Sequence, residues 1–287
     1  MAACIQRAQP WLGTIVQMRI EGLCEADALA ALDAAFAEVA CVHRCMSFHE
    51  ADSDLSRIHR AVPGSVVAVD PRTSEVLHIA QNVELLSRGV FNIAIAPRLV
   101  ASGCLPRPVS PFVPDLCACW RDVELLPDHG VRLRKPLWLD LGGIAKGYAV
   151  DRAIASLRAS GASQVCVNAG GDLRVCGARA EPVWLRSGQG SVTCLPALKL
   201  ANAAVATSSA AAAGAAVAPH VHGGTRETVC SGATVSVVAD SCVIADALTK
   251  VVLAGDAAIS AEVLAAFAAQ ARVHHADLGW TRLGRAA

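Results

Sequence analysis

Two carboxylates, a glycine pair and an amine fall within one stretch, Leu139-Asp140-Leu141-Gly142-Gly143-Ile144-Ala145-Lys146-Gly147-Tyr148-Ala149-Val150-Asp151. These residue types suit the binding of a phosphate and the neutralisation of its charge. The apolar run before Gly142 predicts a strand end, and the run from Ile144 predicts a helix. Backbone N–H groups and Lys146 then converge at a helix start, where an anion is favoured. Gly142 and Gly143 let a ligand approach the main chain, and Gly143 offers a carbonyl to a hard metal ion. The plain alternative is an ordinary strand-to-helix turn with a solvated lysine.

Other candidates are scattered. Asp246 is either the N-cap of a helix over 246–254 or a carboxylate for a site, and Lys250 lies one helical turn on, on the same face. Gly170-Gly171-Asp172 ends a short β run over 164–168. His220 and His222 share a strand face, and His274-His275 lie near the C-terminus; all four read as exposed or hydrogen-bonded rather than as a metal site. Cys117 and Cys119 have no matching second pair, so zinc is set aside. Met46 taken alone reads as core.

The elements that must carry these residues interleave irregularly. Alternation predicts a strand over 13–20, and helical spacing of Leu29, Leu32, Phe36 and Val39 predicts a helix over 25–45. Asp52 or Ser53 caps a short helix, and a further helix covers 72–88. Four prolines mark 101–119 as a loop. Strands over 131–141 and a helix over 144–159 open the second half, followed by β runs at 164–168 and 173–176. The Ala-rich stretch 203–218 reads as small-residue packing or a connection. A strand over 229–238 and helices over 246–254 and 260–272 complete the chain. This order favours an α+β fold of mixed or antiparallel sheets with packed helices over a doubly wound parallel one. A single domain over 1–287 is expected, with two intimately packed lobes, about 1–125 and 126–287, as an option.

Composition narrows the partners. Of 287 residues, 54% are apolar and 17% charged, which is ample for a large core. Lys and Arg number 25, as do Asp and Glu, so no global field draws in nucleic acid or an anionic membrane. The 12 cysteines are too sparse for a disulfide scaffold and read mostly as buried thiols. Three residues before Cys4 leave no room for a lipoprotein signal, and no apolar run is long enough to span a bilayer, so a cytoplasmic protein is expected.

In order and spacing, several of these segments resemble the ApbE-like flavin transferases, the FAD:protein FMN transferases. The set comprises Leu12-Gly13-Thr14, Met46-Ser47, Asp52 to Ile58, Phe91 to Val100, Asp140 to Asp151, Asn168 to Asp172, Ala206-Thr207-Ser208 and Ala245-Asp246-Ala247-Leu248. The resemblance implies an ApbE-like, T-fold-like architecture. It further implies Mg2+-dependent cleavage of FAD, transfer of its FMN half to a Thr or Ser of a client protein, and release of AMP. The client would carry a Ser/Thr-Gly-Ala-Ser/Thr motif. By the same resemblance, Asp246 and Lys146 are catalytic. Gly143, Asp246 and the position of Lys250 form the metal site. Met46, Ala94, Ile95, Ala96, Asp140, Lys146, Gly170, Gly171 and Asp172 surround the flavin nucleotide.

The chain departs from the family pattern at polar positions. Lys250 stands where the family has Thr or Ser. It either neutralises Asp246 and weakens Mg2+ binding or touches the phosphates itself, while Thr249 supplies the hydroxyl if the helix is rotated. Asn92-Ile93-Ala94 replaces Asp-Pro-Thr, and Val221-His222-Gly223-Gly224 replaces a segment with Asp-Pro. The alternative implied is an FAD-binding relative whose transfer activity is weakened or lost. Ser231-Gly232-Ala233-Thr234 matches the client motif itself, but lacks its acidic context.

Overall fold

The computed structural model describes residues 4–186, 194–210 and 220–284. Strand β1 (Ile5–Trp11) turns through Leu12 and Gly13, both at positive φ, into β2 (Thr14–Glu21). Alternate residues Val16, Met18 and Ile20 of β2 are fully buried. Helix α1 (Glu25–Met46) buries Leu32, Ala35, Phe36 and Val39, three or four residues apart, as an amphipathic stripe does. The Ser53 hydroxyl caps α2 (Asp54–Arg60) by accepting from the Ser56 N–H at 3.1 Å. After β3 (Val66–Ala68), Asp70 caps α3 (Pro71–Leu86), and α4 (Ala96–Ala101) ends the first run of helices.

Strands β4 (Val123–Leu126) and β5 (Gly130–Leu133) precede α5 (Ala145–Ala159). Then come β6 (Gln164–Ala169), β7 (Asp172–Gly177), β8 (Glu181–Arg186), β9 (Cys194–Leu200), β10 (Ala203–Ser209) and β11 (Thr234–Ala239). Helices α6 (Cys242–Ala254) and α7 (Ala257–Ala266) lead to β12 (Gln270–His275) and β13 (Gly279–Leu283).

Among the described residues, the strands form one antiparallel sheet ordered β1-β2-β6-β7-β10-β11-β12-β13, a small sheet β3-β5-β4, and the pair β8-β9. The large sheet takes strands from both sides of residue 125. Helices α1, α5 and α6 pack in succession over it, and the main core fills the space between. A smaller cluster of Val175, Leu185, Leu200 and Val205 joins β8 and β9 to the sheet. The fold is α+β with antiparallel sheets, as the interleaving of elements predicts. No helix of the described residues is long and apolar enough to cross a membrane.

Several expectations need correction. The strand expected over 131–141 stops at Leu133. Beyond it the chain leaves the ladder, and Leu139 and Asp140 find other acceptors. Their N–H groups donate to His59 Nε2 at 2.9 Å and to the Ile93 carbonyl at 2.7 Å. The helix expected over 260–272 ends at Ala266, because Ala268 turns to positive φ and the Ala269 N–H closes on the Leu264 carbonyl at 2.8 Å. Only Cys242 is fully buried among the described cysteines; Cys4, Cys24, Cys117 and Cys230 are exposed. The Ala-rich stretch begins as β10, and its residues 211–219 lie outside the described ones.

Candidate active site

Helices α5 and α6 cross at Gly147, and the crossing sets the site. A Cβ on Gly147 would lie 2.2 Å from the Cys242 carbonyl and 2.8 Å from Asp246 Cβ, so only glycine permits this approach. Across the gap the Gly147 N–H donates to Asp246 Oδ2 at 3.0 Å. Asp151, one turn further along α5, holds the start of α6. Its Oδ1 and Oδ2 accept the N–H groups of Cys242 and Val243, each at 2.9 Å, and Arg174 donates to Oδ1 at 2.6 Å. Thus α6 begins at Cys242, and Asp246 lies inside the helix rather than at its N-cap.

Asp246 is fully buried and surrounded by donors. Lys250 Nζ donates to Oδ1, and to the Asp246 main-chain oxygen at 3.0 Å. Lys146 Nζ lies 3.8 Å from Oδ2 and donates to Asp172 Oδ2. Burial alone would push the Asp246 carboxyl up, but Lys146, Lys250 and the Gly147 N–H outweigh it and hold the group below the usual carboxylate range. Asp172 goes the other way: burial, then repulsion from Asp246, raise it against the pull of Lys146. Desolvation opposes the charge on Lys146, yet Asp246 and Asp172 prevail and keep the amine protonated above its ordinary value.

Lys146 and Lys250 line a cavity of about 360 Å³ with Asp140, Gly142, Gly143, Ser208 and His220, and an apolar wall from Val90 to Leu105. Such a volume is typical of small-molecule sites. Burial raises the Asp140 carboxyl against the Gly142 N–H, which donates to Oδ1 at 3.0 Å. Burial, aided by Lys250, holds the His220 imidazole down at about 4. At neutral pH it is uncharged.

The expected residues separate into groups. Asp140, Gly143, Lys146, Ile95 and Lys250 share the cavity, with Asp246 and Asp172 bonded to the two lysines. Ala94 lies behind it, in a neighbouring cleft, where its carbonyl accepts from Arg226 at 3.0 Å. Ala96 packs against Phe48 and Trp138, and Met46 lies in the main core rather than on the cavity wall. Gly170 and Gly171, at φ +65° and +110°, form the β6–β7 turn, with Gly170 against Thr14. Thr234 is buried, with its hydroxyl 3.0 Å from that of Ser209, so it is no accessible acceptor.

Two features run against the sequence reading. Three of the helix-start N–H groups expected to meet phosphate are spent: those of Ile144 and Ala145 donate to the Leu141 carbonyl at 3.0 and 2.8 Å, and that of Gly147 donates to Asp246. The side-chain ammonium groups of Lys146 and Lys250 present full positive charge on the same wall. Nor do the residues expected to hold Mg2+ fit that ion. An ammonium already takes Asp246 Oδ1 and its main-chain oxygen, and a Cβ on Gly143 would lie 3.4 Å from Lys250 Cε. The Lys250 stem therefore lies beside Gly143, where a cation shared by the two residues would sit. Thr249 faces away, its hydroxyl bonded to the Asp246 main-chain oxygen at 2.7 Å and to Ser208 at 2.8 Å.

Sequence reasoning set His220 aside and gave Gly147 and Asp151 no role in joining α5 to α6. A signal for His220 existed in its position before the replaced Asp-Pro segment. None existed for the other two, whose partners lie about a hundred residues away. Elsewhere, Cys41, Cys45 and Asp70 bring three ligand-type atoms within 4.8 Å of one another. Burial, with Asp70, pushes the Cys45 thiol up to about 12, so it stays protonated.

The geometry has close counterparts. Residues 12–273 match the model of the ApbE family. The chain belongs to the ApbE family. Among curated ApbE-type relatives, it is 30% identical over 186 residues to the FAD:protein FMN transferase of Rhodobacter capsulatus, covering 60% of this chain and 35% of the relative. It is also 30% identical over 146 residues to the FAD:protein FMN transferase of Vibrio cholerae, covering 48% and 44%. The matches thus span less than half the length of either relative. Solved ApbE structures share the fold throughout. The apo flavinyl transferase ApbE of Pseudomonas stutzeri superposes with a TM-score of 0.81 at 18% identity, over 99% of this chain and 95% of that one. The ApbE protein of Thermotoga maritima gives 0.83 at 20% identity, over 98% and 97%.

Proposed function

We propose that this chain is an FAD:protein FMN transferase, moving FMN from FAD to a Ser or Thr of a client protein with release of AMP. One observation carries the reading: two ammonium groups, Lys146 and Lys250, flank one buried carboxylate at the wall of a single cavity. A diphosphate needs such fixed charge, and phosphoryl transfer depends mainly on positioning and charge neutralisation. The names of the two curated relatives support the same reading.

In the transfer, the client hydroxyl oxygen bonds to the phosphorus on the FMN side of the bridge. The bond from that phosphorus to the bridging oxygen breaks, and AMP leaves with the oxygen and the electron pair. The hydroxyl proton goes to the His220 ring on the cavity wall, whose hold on a proton rises once the diphosphate's negative charge offsets Lys250, one of the groups that keep the imidazole low. Lys146, fixed by Asp172, meets the charge that gathers on the phosphate oxygens. The apolar wall from Val90 to Leu105 accepts a flat ring system.

The test is incubation with FAD and a client domain bearing a Ser/Thr-Gly-Ala-Ser/Thr motif. The client should gain the mass of FMN, with one AMP released per modification. Bound FAD without AMP release would favour the alternative of a flavin binder that has lost transfer. No FAD binding at all would remove the reading.

A further inference from the structure

We propose that the Lys250 ammonium serves as a built-in cation for the diphosphate of FAD, so that this chain binds the dinucleotide without a divalent metal. The proposal rests on the reading of the cavity as an FAD site.

The donor arithmetic leads there. A lysine ammonium carries three donors. Two are spent within α6, on Asp246 Oδ1 and on the Asp246 main-chain oxygen at 3.0 Å. Among the described residues no acceptor is recorded for a third, and Lys250 lines the cavity. Both anchoring oxygens belong to a fully buried residue one helical turn away, which fixes the charge before any ligand arrives. On the other side of Asp246, Lys146 Nζ stands 3.8 Å from Oδ2, so a pair of ammonium groups brackets the carboxylate.

A divalent ion at this place would have to evict the ammonium from both oxygens. It would also sit close to Lys146, and the Lys250 stem against Gly143 would have to move. Each step costs electrostatic or packing energy, and each is avoided if the ammonium itself meets the phosphates.

The experiment is a titration of the full chain with FAD, followed by flavin fluorescence, in EDTA and again in MgCl2. The wild type is expected to bind with the same affinity in both, within about twofold, whereas Lys250→Thr loses about tenfold or more in EDTA and recovers with Mg2+. Calorimetric titration of the wild type with MgCl2 alone should give no binding heat. Wild-type affinity that rises about tenfold or more with Mg2+ would overturn the proposal and leave the FAD site standing. A wild type that binds no FAD in either buffer would overturn both readings.

Discussion

The Gly147 N–H donates to Asp246 Oδ2 at 3.0 Å, and the missing side chain at Gly147 is what lets α6 come close enough for that bond to form. One residue thus serves packing and electrostatics together. It admits the backbone of α6, and it helps hold a buried carboxylate in its charged form between two lysines.

Gly147→Ala tests this contact, and two effects oppose each other. Alanine inside a helix gains roughly 1 kcal/mol in propensity over glycine. The new Cβ would meet the Cys242 carbonyl at 2.2 Å, and that atom belongs to backbone that cannot rotate away. Overpacking of this kind costs roughly 1–3 kcal/mol, so the variant is expected to be destabilised and to bind FAD weakly. Urea unfolding and an FAD titration read the two effects. A more stable variant with intact FAD binding would show that the helices have room to part.

Asp151 poses a different question, whether a carboxylate outside the cavity controls it. Removing it in Asp151→Ala leaves the N–H groups of Cys242 and Val243 without acceptors and Arg174 without its partner. The expected cost is roughly 2–4 kcal/mol, with FAD affinity falling because Asp246 and Lys250 ride on the loosened helix. Asp151→Asn keeps one carbonyl oxygen and should lose less. Equal urea midpoints for wild type and Asp151→Ala would contradict this account.

These two residues also mark the limit of what the sequence could tell. Local patterns carried the fold: the alternation of Val16, Met18 and Ile20, the stripe of α1 and the Ser53 cap are all set by near neighbours. Motif order placed Asp140, Lys146, Asp172, Asp246 and Lys250 around one cavity. What could not be read was where hydrogen bonds would be spent. The N–H groups after Gly143 look free in the sequence, yet Asp246 claims that of Gly147 from 99 residues away. Likewise Leu137 to Leu141 is apolar enough for a strand, but His59 and Ile93 take its N–H groups instead of a neighbouring strand.

The pH dependence of stability should carry a mark from Glu84. Burial pushes this carboxyl up to about 7, and Oε2 has no hydrogen-bond partner. Because the folded value lies above the unfolded one of 4.5, the stabilisation is complete below pH 4.5 and is lost as pH rises through about 7. Glu84→Gln carries no such loss. Above pH 7 it should exceed the wild type by roughly 1–2 kcal/mol after allowance for solvent screening, and below pH 4.5 the two should converge. Thermal melts across this range would reveal it, and parallel curves would refute the assignment.

The central claim, a diphosphate held between Lys146 and Lys250, is tested most directly by a crystal structure of the wild-type chain with FAD, grown in EDTA. The account predicts both Nζ atoms at about 2.7–3.2 Å from oxygens of the diphosphate, with the flavin against the wall from Val90 to Leu105. A diphosphate bound outside this cavity, or one that neither lysine touches, would contradict it.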